Sequence, residues 1–366
     1  MRTAIDLTSL SDNFSGLERM AFELTKAMLD EAPEDEFILV IKNEVPGMLK
    51  PFGRLSNVRF CRIKGKNKLV ANQLTLPLTM SRIKADAYLF PAFPVPLLFN
   101  KKDTYGMIAD LGCYDCPQTM KKKQVLFFRE GAKHTAGISR KTLTISEFSK
   151  GRIEKLLHKQ ADDMQLLYCG INLPPEGAAS KERQIRVREK YSLPGKYYLS
   201  LSTVEPRKNL KLLTDAYLEL KAEGEELPGL VLAGREGWLM DPALLKAKEE
   251  GSVIFTGFVD DADLPALYAG AEAFIFPSLY EGFGMPPLEA QAAGVKKVLS
   301  SDAEALTEVL GDTALFFKNN DRGSLKQALK ALAGYEGPGP GAVKKNLERF
   351  SWRESAKKLI DSMHEG

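Results

Sequence analysis

Two glutamates, Glu281 and Glu289, stand eight positions apart in FPSLYEGFGMPPLEAQAAG, residues 276–294. Glycines and a proline pair lie between them. The apolar AFIFP (273–277) reads as a strand, SLYEGFG as a loop, and MPPLEAQAAG as a helix with prolines in its first turn, where they are tolerated. A helix start carries unpaired N–H groups and a partial positive charge. Gly282 and Gly284 let the backbone come close to a ligand. A phosphate is therefore favoured there. Carboxylates repel phosphate but accept hydrogen bonds from sugar hydroxyls. With Glu281 just before the helix and Glu289 in its first turn, the two bracket a ligand with hydroxyls on both sides of a phosphate. A nucleotide sugar fits that description. Without a ligand, the same stretch is a capping loop whose carboxylates complement the helix dipole.

STVEPRKNL (202–210) supplies the opposite charge. It follows the apolar YYLSL (197–201), and Arg207 and Lys208 fall where the next helix begins, with Asn209 as its cap. Two cations at a strand end neutralise a pyrophosphate and stabilise it as a leaving group. In isolation they are a solvated basic pair. Asp261 and Asp263 form D-x-D in FVDDADLPALY. That spacing holds a divalent metal in some transferases, but at a helix start aspartates are expected to cap N–H groups. No metal site is expected, since Lys208, Arg207 and the helix terminus already bring positive charge. Cys113 and Cys116 form C-x-x-C without a second ligand pair at zinc spacing, so they read as ordinary thiols. The three histidines, His134, His158 and His364, lie outside strand-end loops of catalytic type.

The elements that must position these groups follow a strand–helix rhythm. In the second half, strands are expected at 197–201, 229–234, 252–257, 273–277, 296–300 and 314–317. Helical segments are expected between and after them, near 209–222, 242–249, 261–270, 286–293, 302–310 and 323–333. Such alternation implies a parallel sheet covered on both faces, with ligands at the carboxyl ends of the strands. The first half is read the same way, with strands at 3–6, 37–42, 58–63, 87–90, 104–110, 142–146 and 165–170. Helices are expected near 16–29, where Leu17, Met20, Ala21, Leu24 and Met28 share one face, and at 147–160. The Pro-, Gly- and charge-rich NLPPEGAASKERQ (172–184) marks a linker. The expected division is 1–180, 181–345, and a closing amphipathic helix in 346–366.

Bulk composition agrees. At 366 residues the chain is long for one core, and a net charge of +3 does not indicate a nucleic-acid binder. Four cysteines fit a reducing cytoplasm. The N-terminal MRTAIDLTSLSDNFSG has no apolar signal core, and no apolar run approaches the ~18 residues of a membrane span.

EGFGMPPLE, with EPRKN upstream, resembles glycosyltransferase family 4. The intervening LVLAGREGW and VIFTGFVDDADLPALYAGAEAFIFPS, and the GDTALFF that follows, extend the likeness. FSGLERMAFELTKAML, TLTISEFSKGRIEKLL and LLYCGIN carry it, more weakly, into the first half. The resemblance implies a GT-B fold: two Rossmann-like doubly wound domains facing a central cleft, the first binding acceptor and the second the nucleotide sugar. The C-terminal helix would cross back to the first domain. It implies a retaining, metal-independent transfer of a hexose-like sugar to an acceptor hydroxyl. Lys208 and Arg207 would hold the donor phosphates, and Glu289 the ribose. Glu281 and the backbone of Gly282, Phe283, Gly284 and Met285 would hold the sugar and phosphate. Phe258 and Val259 would line the base, and Gly16 would let the first loop approach the donor. Two positions depart from the pattern: Ala109, followed by Asp110 on the acceptor side, stands where relatives have histidine, and Ser202 where some have arginine.

No resident cofactor is implied; the nucleotide sugar, UDP- or GDP-linked, is a co-substrate. The acceptor would be a glycan or lipid-linked saccharide of a bacterial surface polysaccharide. The basic run of MKKKQVLFFREGAKH (120–134) offers a membrane-surface contact on the inner face of the plasma membrane, or is simply a solvated helix end. Rival readings are an epimerase or phosphorylase of the same fold, told apart by a need for acceptor or inorganic phosphate, and a non-catalytic relative that binds a partner.

Overall fold

The computed structural model describes residues 1–11, 16–65 and 70–365. The chain divides into two compact units. The first comprises Met1–Pro117, Lys121–Gly170 and Phe350–Gly366, the second Gln118–Met120 and Ile171–Arg349. The sequence-derived division at 180 falls on Ser180, the N-cap of helix Lys181–Lys190. The proline-bearing linker ahead of it already belongs to the second unit.

The first unit holds β1 (Arg2–Asp6), β2 (Glu36–Lys42), β3 (Val58–Ile63), β4 (Ala87–Phe90), β5 (Thr104–Met107), β6 (Lys141–Thr144) and β7 (Met164–Leu166). They form one sheet in the order β3-β2-β1-β4-β5-β6-β7, every pair parallel. The second unit holds β8 (Tyr197–Leu201), β9 (Gly229–Ala233), β10 (Ile254–Gly257), β11 (Ala273–Phe276), β12 (Val298–Ser301) and β13 (Leu315–Phe317). Their order is β10-β9-β8-β11-β12-β13, again all parallel.

Parallel strands need crossover connections, and the helices that make them bury both faces of the sheet. That is why the central strands are apolar without alternation: all four residues of β4, AYLF, and of β11, AFIF, are buried. Helix Leu210–Ala222 turns Leu213, Ala216, Tyr217 and Leu220 into the same core as Leu230 and Leu232 of β9 and Ile275 of β11. Each sheet order reverses once, between β1 and β4 and between β8 and β11. Open α/β sheets bind ligands beyond the carboxyl ends of their strands at such a reversal. EPRKN follows β8, and SLYEGFG follows β11.

Among the described residues, several helical segments escaped the sequence reading. Lys181–Lys190 buries only Val187 and so lacks an apolar stripe. Pro340–Leu347 begins on a proline inside a Gly/Pro-rich stretch. A π-helical turn, Ala71–Thr75, runs into helix Leu76–Arg82, whose own proline obscures the period.

The closing helix, Trp352–His364, lies on the first unit. Ser351 caps it by accepting from Glu354 N at 3.2 Å. Arg353 pairs with Glu31 at 2.7 Å, Ser355 Oγ donates to Tyr168 O at 2.7 Å, and Gln165 Nε2 donates to Lys358 O at 2.7 Å. At Gly170 a Cβ would collide with the backbone N and the ring of Trp352. Gly170→Ala should therefore destabilise the first unit by about 1–3 kcal/mol, the range for overpacking. A calorimetric scan should show its transition several degrees lower, whereas Gly151→Ala, which meets nothing inside helix Glu147–Leu157, should leave it in place or raise it slightly.

Candidate active site

β8 ends at Leu201, and the chain makes a 3-10 turn, Pro206–Lys208, with Asn209 in the left-handed region (φ 53°) before helix Leu210–Ala222. Pro206 presets its φ for the turn. β11 ends at Phe276, and Gly284 (φ 104°) caps helix Met285–Ala292. A Cβ at Gly284 would strike Leu306 Cδ2, so positive φ and close packing together call for glycine.

These two strand exits are stitched together. Leu279 N donates to Arg207 O at 2.8 Å, and Arg207 Nη1 donates to Tyr280 O at 3.2 Å. Lys208 Nζ donates to Glu281 Oε1 at 2.5 Å, and Arg207 Nη1 reaches Glu281 Oε2 at 3.3 Å. Lys208 Nζ also lies 5.4 Å from the centre of the Phe276 ring. Asn319 Nδ2, beyond β13, donates to Leu279 O at 2.8 Å and steadies the loop from its other side.

The side chains of Lys208 and Glu281 are only 13% and 8% exposed. Burial, with help from neighbouring Arg207, draws the Lys208 ammonium below the ordinary lysine value, against the opposing pull of Glu281. Burial alone would raise the Glu281 carboxyl, but Lys208 and Arg207 outweigh it and hold the acid below the ordinary glutamate value. Water is largely displaced here, so a charge or hydroxyl that arrives meets strong, fixed partners.

The helix start itself offers less than the sequence suggests. Pro286 and Pro287 carry no N–H, so Met285 and Leu288 supply the N–H groups of the first four positions. Glu289 is the fifth residue of this helix and lies beyond the first turn where it was expected, because the helix starts at Met285. It is half-buried, and its Oε2 accepts from Tyr268 OH at 3.1 Å. Gly282 and Phe283 are buried in the loop.

The exits of β9 and β10 border the same end of the sheet. Gly234 N donates to Gly257 O at 2.9 Å, and Val204 N donates to Arg235 O at 2.9 Å. The Arg235 guanidinium lies 4.5 Å from the ring centre of Phe258, which is 46% exposed. Val259 is buried, so it could line a base only through its backbone.

Residues 181–336 match the family model described as glycosyl transferases group 1. The second unit carries a group 1 glycosyltransferase domain. The chain is similar to O-antigen chain mannosyltransferase B of Escherichia coli, 33% identical over 253 residues, which cover 68% of this chain and 62% of that protein. It is also similar to the serotype-specific mannosyltransferase WbdA of Escherichia coli, 38% identical over 191 residues, 50% of this chain and 23% of that protein. The matches thus span less than two thirds of either relative's length. Among solved structures, Anabaena HepE in complex with UDP and glucose aligns over the whole of both chains with a TM-score of 0.75 at 14% identity. Sucrose-phosphate synthase from Thermosynechococcus elongatus aligns over 100% of this chain and 98% of its own, with a TM-score of 0.71 at 16% identity. These likenesses show the fold, GT-B, with its two Rossmann-like units.

Within the glycosyltransferase domain, Asp263 of the D-x-D pair does not behave as expected. Asp263 is the N-cap of helix Leu264–Ala269, yet its side chain caps no N–H. It accepts instead from Lys190 Nζ at 2.6 Å and Tyr191 OH at 3.0 Å, because the end of helix Lys181–Lys190 reaches over it. Among the described residues no group of three or more His, Cys, Asp or Glu side chains is arranged to hold a metal.

The remaining candidates lie on the first unit. Gly16 opens helix Gly16–Glu31 with open space where a Cβ would be, and the loop before it at 12–15 lies outside the described residues. Asp110, past the end of β5, accepts from Gly112 N at 2.8 Å and so shapes the short turn Gly112–Asp115. Ala109 O accepts from Ser149 Oγ at 2.8 Å. Cys113 and Cys116 are buried thiols, and burial pushes Cys113 up to about 12.

Sequence reasoning passed over Glu205, Arg235, Tyr268 and Asn319. Three of them touch a named candidate, and Asn319 holds the loop; Glu205, Arg235 and Tyr268 each lie inside a motif already quoted, and Asn319 does not.

Removing one partner of a buried ion pair costs about 3–5 kcal/mol, because the other charge stays buried. Glu281→Gln should therefore lower stability at neutral pH. Its folded-state acid is depressed, so the stability it adds is present above the ordinary glutamate range and is lost as pH falls through the folded value. Denaturant melts from pH 7 to pH 3 should show wild type losing stability more steeply than Glu281→Gln.

Proposed function

We propose that the protein is a retaining, metal-independent glycosyltransferase. It moves a hexose-like sugar from a UDP- or GDP-linked donor to a hydroxyl of a glycan or lipid-linked saccharide of a bacterial surface polysaccharide. One observation carries the reading: a nearly buried lysine and glutamate, 2.5 Å apart, at the strand-order reversal of a group 1 glycosyltransferase domain.

Lys208 would meet the diphosphate and stabilise the negative charge that grows on it as the glycosidic bond to the donor breaks. Glu281 would then exchange part of its contact with Lys208 for hydroxyls of the departing sugar. Glu289 would take the ribose hydroxyls, with Tyr268 fixing its carboxylate. Loop N–H groups of Gly282–Met285 would complete the phosphate cradle. Phe258, with Arg235 beside it, would face the base. With positive charge in place from Lys208, and with Asp263 held by Lys190 and Tyr191, the reaction would need no divalent ion. In a front-face retaining transfer the leaving phosphate takes the acceptor proton, which suits a domain without a strand-end histidine. The first unit, with Asp110 past β5, would serve the acceptor. The mannosyltransferase relatives support a hexose donor and a polysaccharide product.

A panel of UDP-, GDP-, ADP- and dTDP-sugars tests this by thermal shift and slow donor hydrolysis, in EDTA. One nucleotide should stabilise wild type and fail to stabilise Lys208→Ala or Glu289→Ala. NMR of the product should show the anomeric configuration retained. No response to any donor at millimolar concentration would sink the reading.

A membrane surface is proposed as the place of action. Lys121, Lys122 and Lys123 are exposed at the start of helix Lys122–Ile138, and Leu126 one turn later is 64% exposed. Each basic residue near an anionic surface adds about 1 kcal/mol. Vesicles containing anionic lipid should retain the protein at low salt and release the triple Lys→Glu variant at 121–123. Equal retention of both proteins would remove the idea.

A further inference from the structure

Arg207 and Lys208 are neighbours, but the structure puts them to different uses. The Arg207 fork faces inward. Its Nε donates to Glu205 Oε1 at 3.2 Å, and Nη2 lies 3.1 Å from the same oxygen. Nη1 donates to Tyr280 O at 3.2 Å and Glu281 Oε2 at 3.3 Å. The Arg207 carbonyl accepts from Leu279 N. A guanidinium has five N–H donors in a fixed plane, and these contacts engage all three of its nitrogens. Glu205, 7% exposed, is itself buried and has Arg207 as its ion-pair partner. Lys208, by contrast, presents three rotatable donors, one of them to Glu281.

We propose that Glu205 and Arg207 are positioning residues: Glu205 locks the Arg207 fork, Arg207 holds the Leu279–Glu281 loop and the Glu281 carboxylate in place, and Lys208 alone of the basic pair meets the donor phosphates. This rests on the reading of Lys208 and Glu281 as donor-site groups. It reassigns Arg207 from phosphate ligand to scaffold. The carboxylates and cations of this chain, Glu205–Arg207–Glu281–Lys208, alternate in sign. A diphosphate can therefore displace the terminal link, Lys208–Glu281, without dismantling the rest. Displacing Arg207 would leave Glu205 buried beside an anionic ligand without its ion-pair partner, which low-dielectric surroundings disfavour strongly.

The test compares Glu205→Gln, Arg207→Lys, Arg207→Met and Lys208→Met by titration calorimetry with UDP, GDP and inorganic pyrophosphate, and by steady-state transfer. Lys208→Met should weaken diphosphate binding at least about tenfold, whereas Arg207→Lys and Glu205→Gln should keep it within about threefold of wild type. Both of the latter should lower kcat with little change in donor KM. A phosphate-binding Arg207 would give the opposite pattern. Arg207→Lys would then weaken pyrophosphate binding as much as Lys208→Met does, and Glu205→Gln, by releasing the fork, would tighten it; either result overturns the proposal. A substrate-free readout separates this from the wider reading. In protein labelled with carbon-13 at glutamate carboxyls, Glu281 should titrate at higher pH in Arg207→Met than in wild type. If wild type binds no nucleotide, the donor-site reading falls and this titration still decides the role of Arg207; an unmoved Glu281 overturns it.

Discussion

A buried carboxylate between two cations is the constraint on which the rest of the second unit turns. Glu281 is taken out of water, and burial by itself would raise its carboxyl above the ordinary glutamate value. Lys208 and Arg207 outweigh that and hold it below, and they can do so only if the exits of β8 and β11 are held side by side. Those strands are adjacent at the reversal of the sheet, their backbones are tied by the Leu279–Arg207 hydrogen bond, and Asn319 braces the loop from β13. Fully buried strands such as AFIF supply the rigid base from which these loops project. Burial makes the pair costly to assemble and, for the same reason, sensitive to a ligand that offers phosphate to Lys208 and hydroxyls to Glu281.

Much of this was legible in the residues. Strand–helix alternation in the second half reports a parallel sheet because buried parallel strands are apolar on both faces, and β8 to β13 lie where those runs are. The glycine-rich loop and EPRKN were legible because glycine, proline and paired charge at strand ends have few other uses. The helix at 16–31 showed its apolar stripe, and the closing helix at 352–364 showed its amphipathic period.

What stayed hidden was mostly tertiary. A cap and a cross-element ion pair look identical in sequence, so Asp263 read as a cap when Lys190, far away in the chain, claims it. The helix start at Met285 was legible, but Glu289, read in its first turn, is the fifth residue and falls one position beyond it. Glu205 gave no sign that it is buried, and Arg207 gave no sign that its fork faces inward; both depend on where loop 278–281 falls. The charged helix at 181–190 has no apolar stripe to betray it. The division at Gly170 is set by how β7 and the closing helix pack, with Gly170 pressed on Trp352, and the composition of the linker marks a broader zone.

The central claim is that the diphosphate of a nucleotide sugar sits at the exits of β8 and β11. A crystal structure of the protein with bound nucleoside diphosphate tests it most directly. The account predicts phosphate oxygens within hydrogen-bonding distance of Lys208 Nζ and of the loop N–H groups at 282–285, with the Arg207 fork still on Glu205. Phosphate density elsewhere on the second unit, with the Lys208–Glu281 pair unchanged, would contradict it.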